Sequence, residues 1–352
     1  MAIRIVAETA RLMGADSLIP IESAHIDGAL YHGDSGTLFA ERLVAGGAKT
    51  AVRATLNVGA IDLTGCSRNR LRPHELEMAK RMMIAYQQLG CESTWTCAPY
   101  QAGHRPRLGR QVAWGESNAV AFCNSVLGAR TNRYGDFLDI ACAISGRAPD
   151  YGLHRTENRR ATVVFDLSHV DQKFLHSDVA WPVLGNLYGR LIGDAVGVIT
   201  GLAFRPWEDI LKAFGATAAS TGSVGLFHVA GATPEAPDEA TARHNTPAHE
   251  RIIVTNEMLL DAQTRLSTAD RADRVDAVAI GSPHLSVEEF DSLRRLLAGR
   301  KIAVPLYACT GRHVLRLLER DGHRQQLESS GVTIVADTCV VLTPILPEKP
   351  RA

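Results

Sequence analysis

The sequence lacks an excess of charge of either sign: 38 Lys and Arg stand against 38 Asp and Glu over 352 residues. A nucleic-acid binder draws its partner with a basic surface, and no run of Lys or Arg supplies one locally, so nucleic acid is not an expected partner. Long apolar runs are missing too. The most apolar stretch, Leu191 to Phe204, contains Asp194 and several glycines, and the amino-terminal MAIRIVAE lacks the apolar core of a secretory signal. These absences predict a soluble, cytoplasmic chain without a membrane segment. No glycine-rich stretch in strand-to-helix context matches a phosphate-loop or dinucleotide fingerprint, so a nucleotide cofactor finds no support. No CxxC pair occurs, which counts against a zinc knuckle or a thiol-redox motif. No internal repeat is present either.

What is there is ordinary globular composition, 45% hydrophobic and 22% charged, in a chain long enough for two to three domains and a core that needs no staples. The seven cysteines, at 66, 91, 97, 123, 142, 309 and 339, are odd in number and follow no framework spacing. In a reducing compartment they are free thiols or metal ligands. Cys123 and Cys142 lie in apolar helical runs and read as core filler, whereas Cys97 and Cys339 stand in polar turns.

Helical and extended patterns alternate, which predicts α/β layers with parallel or mixed sheets. A helix is expected over 73–89, opened by Pro73 and Glu75 and stopped by Gly90. Another follows the capping pair Ser286 and Glu289 and ends at Gly299. Strands are expected at 50–56, 161–167, 196–200, 223–229, 275–280, 301–308 and 332–336. The stretch ATPEAPDEATARHNTPAHE, 232–250, reads as an exposed connection between an amino-terminal α/β region of two subdomains, 1–231, and a carboxy-terminal α/β unit, 251–352.

Ligands of open parallel sheets bind beyond the carboxyl ends of strands. Three polar motifs are expected there: Thr96 to Tyr100, Gly281 to His284, and Ala336 to Cys339. The stretch ESAHIDGALYHGD puts Ser23, His25, Asp27, His32 and Asp34 on one expected loop, read either as a functional loop or as a solvated one with local caps. Glu116, in WGESN, falls near a helix N-terminus that suits an anion or a carboxylate-bearing ligand; a plain cap by Ser117 or Asn118 is the alternative. Arg130 and Arg133, in GARTNR, offer guanidinium groups for a carboxylate or phosphate, with surface salt bridging as the alternative for Arg133.

With these pieces in order, the sequence resembles the catalytic large subunit of aconitase X. The matching blocks are LIPIESAHIDG (18–28), TLNVGAIDL (55–63), TCAPYQ (96–101), WGESNAV (114–120), NSVLGARTNR (124–133), ISGRAPDYGLH (144–154), GLFHVAGATPEA (225–236), GSPH (281–284) and ADTC (336–339). They run over nearly the whole chain in the family's order. The resemblance implies an aconitase-like fold, with several three-layer α/β/α units around a central cleft, and an iron–sulfur dehydratase. The bacterial branch of the family is similar to cis-3-hydroxy-L-proline dehydratase and the archaeal branch to mevalonate 5-phosphate dehydratase.

Carried over by motif, Cys97 and Cys339 would be cluster ligands. Ser282 stands where the archaeal branch has a third cysteine, and this departure points, with SAHIDGALYHGD, to the bacterial type with a smaller cluster of 2Fe–2S kind. Asn57, Val58, Glu116 and Ser117 match substrate-contacting positions. Ser23, His25 and Gly28 would line the same pocket, and Arg130 and Asn132 are carried over as substrate-binding. Eliminating water needs a Lewis acid on the leaving hydroxyl and a base for the carbon-2 proton; Ser23, His25, Glu116 and Ser117 are all candidates for that base. The expected product is an enamine that tautomerises to Δ1-pyrroline-2-carboxylate. The chain begins in a helix and ends at Pro347 to Ala352, where the family continues with a substrate-binding serine and lysine and a small swivelling domain or subunit, the expected partner. The alternatives are the large subunit of a mevalonate 5-phosphate dehydratase and an inert or truncated subunit that only binds the small partner.

Overall fold

The computed structural model describes residues 1–65, 70–268 and 275–346. Cys66 and the Pro347 to Ala352 end lie outside the described residues. Three parallel sheets organise the chain, each with its own apolar cluster.

The first unit contains α1 (Ala2–Leu12), β1 (Leu18–Pro20), β2 (Ser23–Ile26), α2 (Asp34–Ala45), β3 (Arg53–Leu56), α3 (Pro73–Gln88), β4 (Ala113–Trp114), α4 (Ser117–Phe122), α5 (Leu138–Ser145) and β5 (Arg147–Pro149). Its sheet runs β3-β2-β4, all parallel, beside a small antiparallel β1–β5 ribbon. The α3 helix forms as its sequence predicts: Pro73 needs no hydrogen-bond partner at the first turn, and the Glu75 carboxylate accepts the Arg72 backbone N–H at 3.0 Å. β2 is the central strand and all four of its residues are buried. Ser23 and His25 therefore sit in the core rather than on the expected loop.

The second unit contains β6 (Val163–Asp166), α6 (Gln172–Leu175), α7 (Ala180–Ile192), β7 (Gly197–Thr200), α8 (Glu208–Thr221), β8 (His228–Val229), α9 (Glu239–Ala242), β9 (Glu250–Ile253) and α10 (Asn256–Leu266), with strand order β8-β7-β6-β9. Residues 232–250 are largely exposed, as their prolines and charges suggested, but they do not connect separate units. Ala236 and Ala242 are buried, Glu235 is ion-paired to the buried Arg159, and the segment delivers β9 to the edge of this sheet beside β6. The unit thus extends past the expected boundary.

The third unit contains β10 (Val278–Leu285), α11 (Val287–Leu297), β11 (Leu306–Thr310), α12 (Arg312–Arg320), α13 (His323–Ser329) and β12 (Val332–Ala336), in the order β10-β11-β12. The Gly281 to His284 motif was expected to follow a strand; it lies inside β10. There Ile280 pairs with Ala308 and Leu285 with Thr310, so residues 281–284 bulge out of the ladder. Gly281 makes the bulge possible: its φ is 97°, and a Cβ there would come within 2.2 Å of the Cys309 carbonyl oxygen. Among the described residues no helix is long and apolar enough to cross a membrane.

Candidate active site

The carboxyl ends of β2, β3 and β4 open on a cleft of about 720 Å³. Asp27 and His32 enter it after β2, Asn57 and Val58 after β3, and Glu116 and Ser117 after β4. This is where open parallel sheets present ligand-binding groups. The third unit adds Ser282 from the β10 bulge and Cys339 from the turn after β12, and the second adds Thr217 and Ser220 from α8. Cys97 also lines the cleft.

Both thiols are buried. The Cys97 sulfur accepts the His284 backbone N–H at 3.3 Å, and the Cys339 sulfur is approached by the N–H groups of Val341 and Leu342 and by the Ser282 hydroxyl. Burial pushes both thiols up; the negative charge of Glu116 adds to this at each, and for Cys97 so does Cys339. A cation beside them would reverse that balance, because a coordinating thiol gives up its proton. No group of three or more His, Cys, Asp or Glu is arranged as a metal cage among the described residues. The donor set on this cleft is instead two thiols with one serine hydroxyl, and soft thiols are what iron–sulfur groups take.

Glu116 holds φ 67° and is itself the cap of α4, rather than Ser117 or Asn118. Its carboxylate accepts the N–H groups of Asn118 at 3.0 Å and Ala119 at 2.6 Å. Burial, then the charge of Asp27, push it up to about 7 against those hydrogen bonds. Asp27 is raised as well, mainly by burial. Behind it lies Asp139, fully buried on α5, whose Oδ2 accepts the backbone N–H groups of Asp27 at 2.6 Å and Gly28 at 3.2 Å. Burial and Asp27 push Asp139 up to about 8. Gly115 permits this crowding, since a Cβ there would meet Asp27 Cβ at 2.7 Å and Asp139 Oδ2 at 2.9 Å.

Two amide side chains complete the wall. Asn57 donates through Nδ2 to Asp27, and Asn118 donates to the Cys97 carbonyl at 3.2 Å and the Tyr100 hydroxyl at 3.3 Å. Those acceptors fix the amide orientations, which leaves Asn57 Oδ1 and Asn118 Oδ1 buried and without a partner among the described residues. Both residues line the cleft.

Three family profiles, described as the first, second and third domains of Aconitase X, match residues 1–157, 161–264 and 275–352. The chain belongs to the aconitase X family. It is 42% identical to the cis-3-hydroxy-L-proline dehydratase of Pseudomonas aeruginosa over 96% of this chain and 58% of that enzyme. It is 38% identical to the phosphomevalonate dehydratase large subunit of Methanothermobacter thermautotrophicus, over 95% of this chain and 81% of the subunit. The crystal structure of Thermococcus kodakaraensis aconitase X, holo-form, superposes with a TM-score of 0.86 at 36% identity, covering 98% of this chain and 85% of that one. The chain spans 58% and 59% of the two hydroxyproline dehydratases it matches.

On this aconitase X scaffold the cleft brings together Asn57, Val58, Cys97, Glu116, Ser117, Ser282 and Cys339 of the expected residues. Others stand elsewhere. Ser23 and His25 belong to a buried chain, Ser23 Oγ to His104 Nε2 at 2.8 Å, His104 Nδ1 to Thr55 Oγ1 at 2.7 Å, and Thr55 Oγ1 to His25 Nδ1 at 2.9 Å. Gly28 contributes a backbone N–H to Asp139, and a Cβ on it would meet the Tyr86 hydroxyl at 2.9 Å. Arg130 ties down the His154 carbonyl and the Thr156 hydroxyl, and Asn132 holds the Tyr151 carbonyl and the Leu153 N–H. Asp34 pairs with His74 at 2.8 Å and accepts from Tyr31. Arg133, not Arg130, lines the cleft, and it has no hydrogen-bond or ion-pair partner among the described residues. Sequence reading missed Asp139 and the wall role of Asn118. A lone acid in the apolar run Leu138 to Ala143 was the available signal for the first.

Proposed function

We propose that this chain carries the active cleft of a hydro-lyase that eliminates water from cis-3-hydroxy-L-proline to give Δ1-pyrroline-2-carboxylate, working with a small swivelling domain or subunit. The observation that carries the reading is the sharing of one cleft by a carboxyl poised near neutrality, Glu116, and the Cys97, Cys339 and Ser282 donor set. An iron–sulfur group held by Cys97 and Cys339, with Ser282 beside them, would supply Lewis-acid polarisation of the leaving hydroxyl.

The protein groups divide the remaining work. Glu116, ionised above about 7, takes the carbon-2 proton; Ser117, bonded to it at 3.4 Å, steadies the carboxylate. Ser23 and His25, buried behind the wall, are set aside as bases. The unpaired Oδ1 atoms of Asn57 and Asn118 suit the two N–H donors of a secondary ammonium, and Arg133 suits the substrate carboxylate. Leu30, Val58 and Leu342 furnish apolar wall that excludes water. The proton lost from carbon 2 and the hydroxide from carbon 3 leave together as water, and the enamine tautomerises without redox change.

A second reading, dehydration of mevalonate 5-phosphate, draws on the relatives named phosphomevalonate dehydratase large subunit. The two unpaired amide oxygens, on residues that line the cleft, favour the amino acid, because the phosphorylated acid brings no ammonium. Iron- and sulfide-loaded protein, supplied with the small partner, is to be assayed on both compounds. Turnover of hydroxyproline is expected. Turnover of the phosphorylated acid alone overturns the substrate choice, and turnover of neither overturns the enzyme reading in favour of a binding subunit.

A further inference from the structure

The three segments that carry Cys97, Ser282 and Cys339 come from different places in the chain, and one buried residue lies on the second and bonds to the other two. His284 is fully buried on the β10 bulge, two residues after Ser282. Each of its four polar groups goes to a different partner. The backbone N–H donates to Cys97 Sγ at 3.3 Å. Its carbonyl accepts from Lys212 Nζ of α8 at 3.2 Å. The ring bonds through Nδ1 to Thr96 Oγ1 at 2.9 Å, one residue before Cys97, and through Nε2 to the Thr338 carbonyl at 3.1 Å, one residue before Cys339.

Donor accounting assigns the tautomer. The Thr338 carbonyl can only accept, so Nε2 carries the proton. Thr96 Oγ1 already accepts the Ala98 N–H at 3.1 Å, leaving its own proton for Nδ1. A neutral ring with Nε2–H satisfies every member.

We propose that His284 is the positioning residue of the cleft, a neutral Nε2–H imidazole that holds the turns of Cys97, Ser282 and Cys339 in one register so that their donor atoms face a common space. It deepens the reading of these three residues as the donor set for an iron–sulfur group and rests on that reading for its purpose, though its bonds can be tested without metal. The role differs from that of a ligand: the ring is spent on two hydrogen bonds and acts through the turns it joins. Groups of this kind around metal ligands typically change metal affinity or activity by about 10–100-fold when removed.

The test is site-resolved alkylation of the full chain, free of metal and under reducing conditions, with iodoacetamide and peptide mass mapping. In His284→Phe, which keeps a ring of similar size, Cys97 and Cys339 are expected to react about tenfold faster together, while the core thiols Cys123 and Cys142 keep their parental rates. His284→Gln, with a donor and an acceptor on one side chain, is expected to restore part of the protection. Parental rates at both Cys97 and Cys339 in folded His284→Phe overturn the proposal. So does an equal acceleration at Cys123 and Cys142, which marks general loosening. Should His284→Phe not fold, Thr96→Val decides: removing that one hydroxyl should expose Cys97 and leave Cys339 as it was, and an unchanged Cys97 rate overturns the proposal. Failure of the parent to take up iron and sulfide would instead count against the proposed cluster, since the alkylation pattern is read without it.

Discussion

Glu116→Gln separates the electrostatics of the cleft from its packing, because the amide keeps the size of the side chain and removes its charge. In the parent the carboxyl moves from its ordinary 4.5 to about 7 on folding. At about 1.4 kcal/mol per pH unit this is about 3 kcal/mol, or about 2 kcal/mol once the partial solvent contact of the side chain is allowed for. The sign follows from proton binding. Between 4.5 and about 7 the folded chain holds a proton that the unfolded chain has lost, so stability falls as pH rises through that window and stays lowered above it. The variant has no such loss. Urea unfolding of metal-free parent and variant should therefore shift by about 2 kcal/mol in the variant's favour between pH 4 and pH 8.5. A stability difference that does not change with pH would refute the assignment. Activity should run the opposite way: parental turnover rises through about pH 7 as Glu116 ionises, and the variant loses about 100-fold or more.

Lys212 is almost fully buried between Asp209, at 3.0 Å, and Glu289. Lys212→Met should cost about 3–5 kcal/mol in a urea titration, because two carboxylates lose their cation at the seam between α8 and α11. Gly281→Ala should cost about 2 kcal/mol or more by the same measurement, since the residue holds a positive φ against the Cys309 carbonyl. Arg133→Gln should raise KM for the hydroxy acid about tenfold with little change in kcat, if its guanidinium grips the carboxylate in ground state and transition state alike.

Local chemistry was well written in the chain. Proline and Glu75 at the first turn marked α3, the reciprocal pair Ser286 and Glu289 marked α11, and short β-rich runs marked most strands of the three sheets. Long-range burial was not. Ser23 and His25 look like loop chemistry because they are polar, yet β2 is a central strand, and their hydrogen bonds are met by His104 and Thr55 from distant sequence. The prolines and most charges of 232–250 are solvated as they look, but Glu235 finds the buried Arg159, and β9 is drawn onto β6, so the segment belongs to the second unit. In the site, the rule for parallel sheets singled out the motifs that bring Cys97, Ser282 and Cys339 to the cleft, whereas Asn57 came from the resemblance and Glu116 from its place beside a helix N-terminus. The choice of Arg133 over Arg130 could not be anticipated, because both lie in one turn and only the fold decides which faces the cleft. Asp139 acts through backbone N–H groups more than a hundred residues away, which no spacing reveals.

Under the proposed function, Cys97 and Cys339 together would seat an iron–sulfur group in this cleft. Anaerobic loading with iron and sulfide, followed by visible absorption and bound-iron analysis, tests it most directly. The parent should gain cluster absorption and stoichiometric iron, and Cys97→Ala and Cys339→Ala should each lose both while remaining folded. Loading of either variant to the parental level, or none in the parent, would contradict the account.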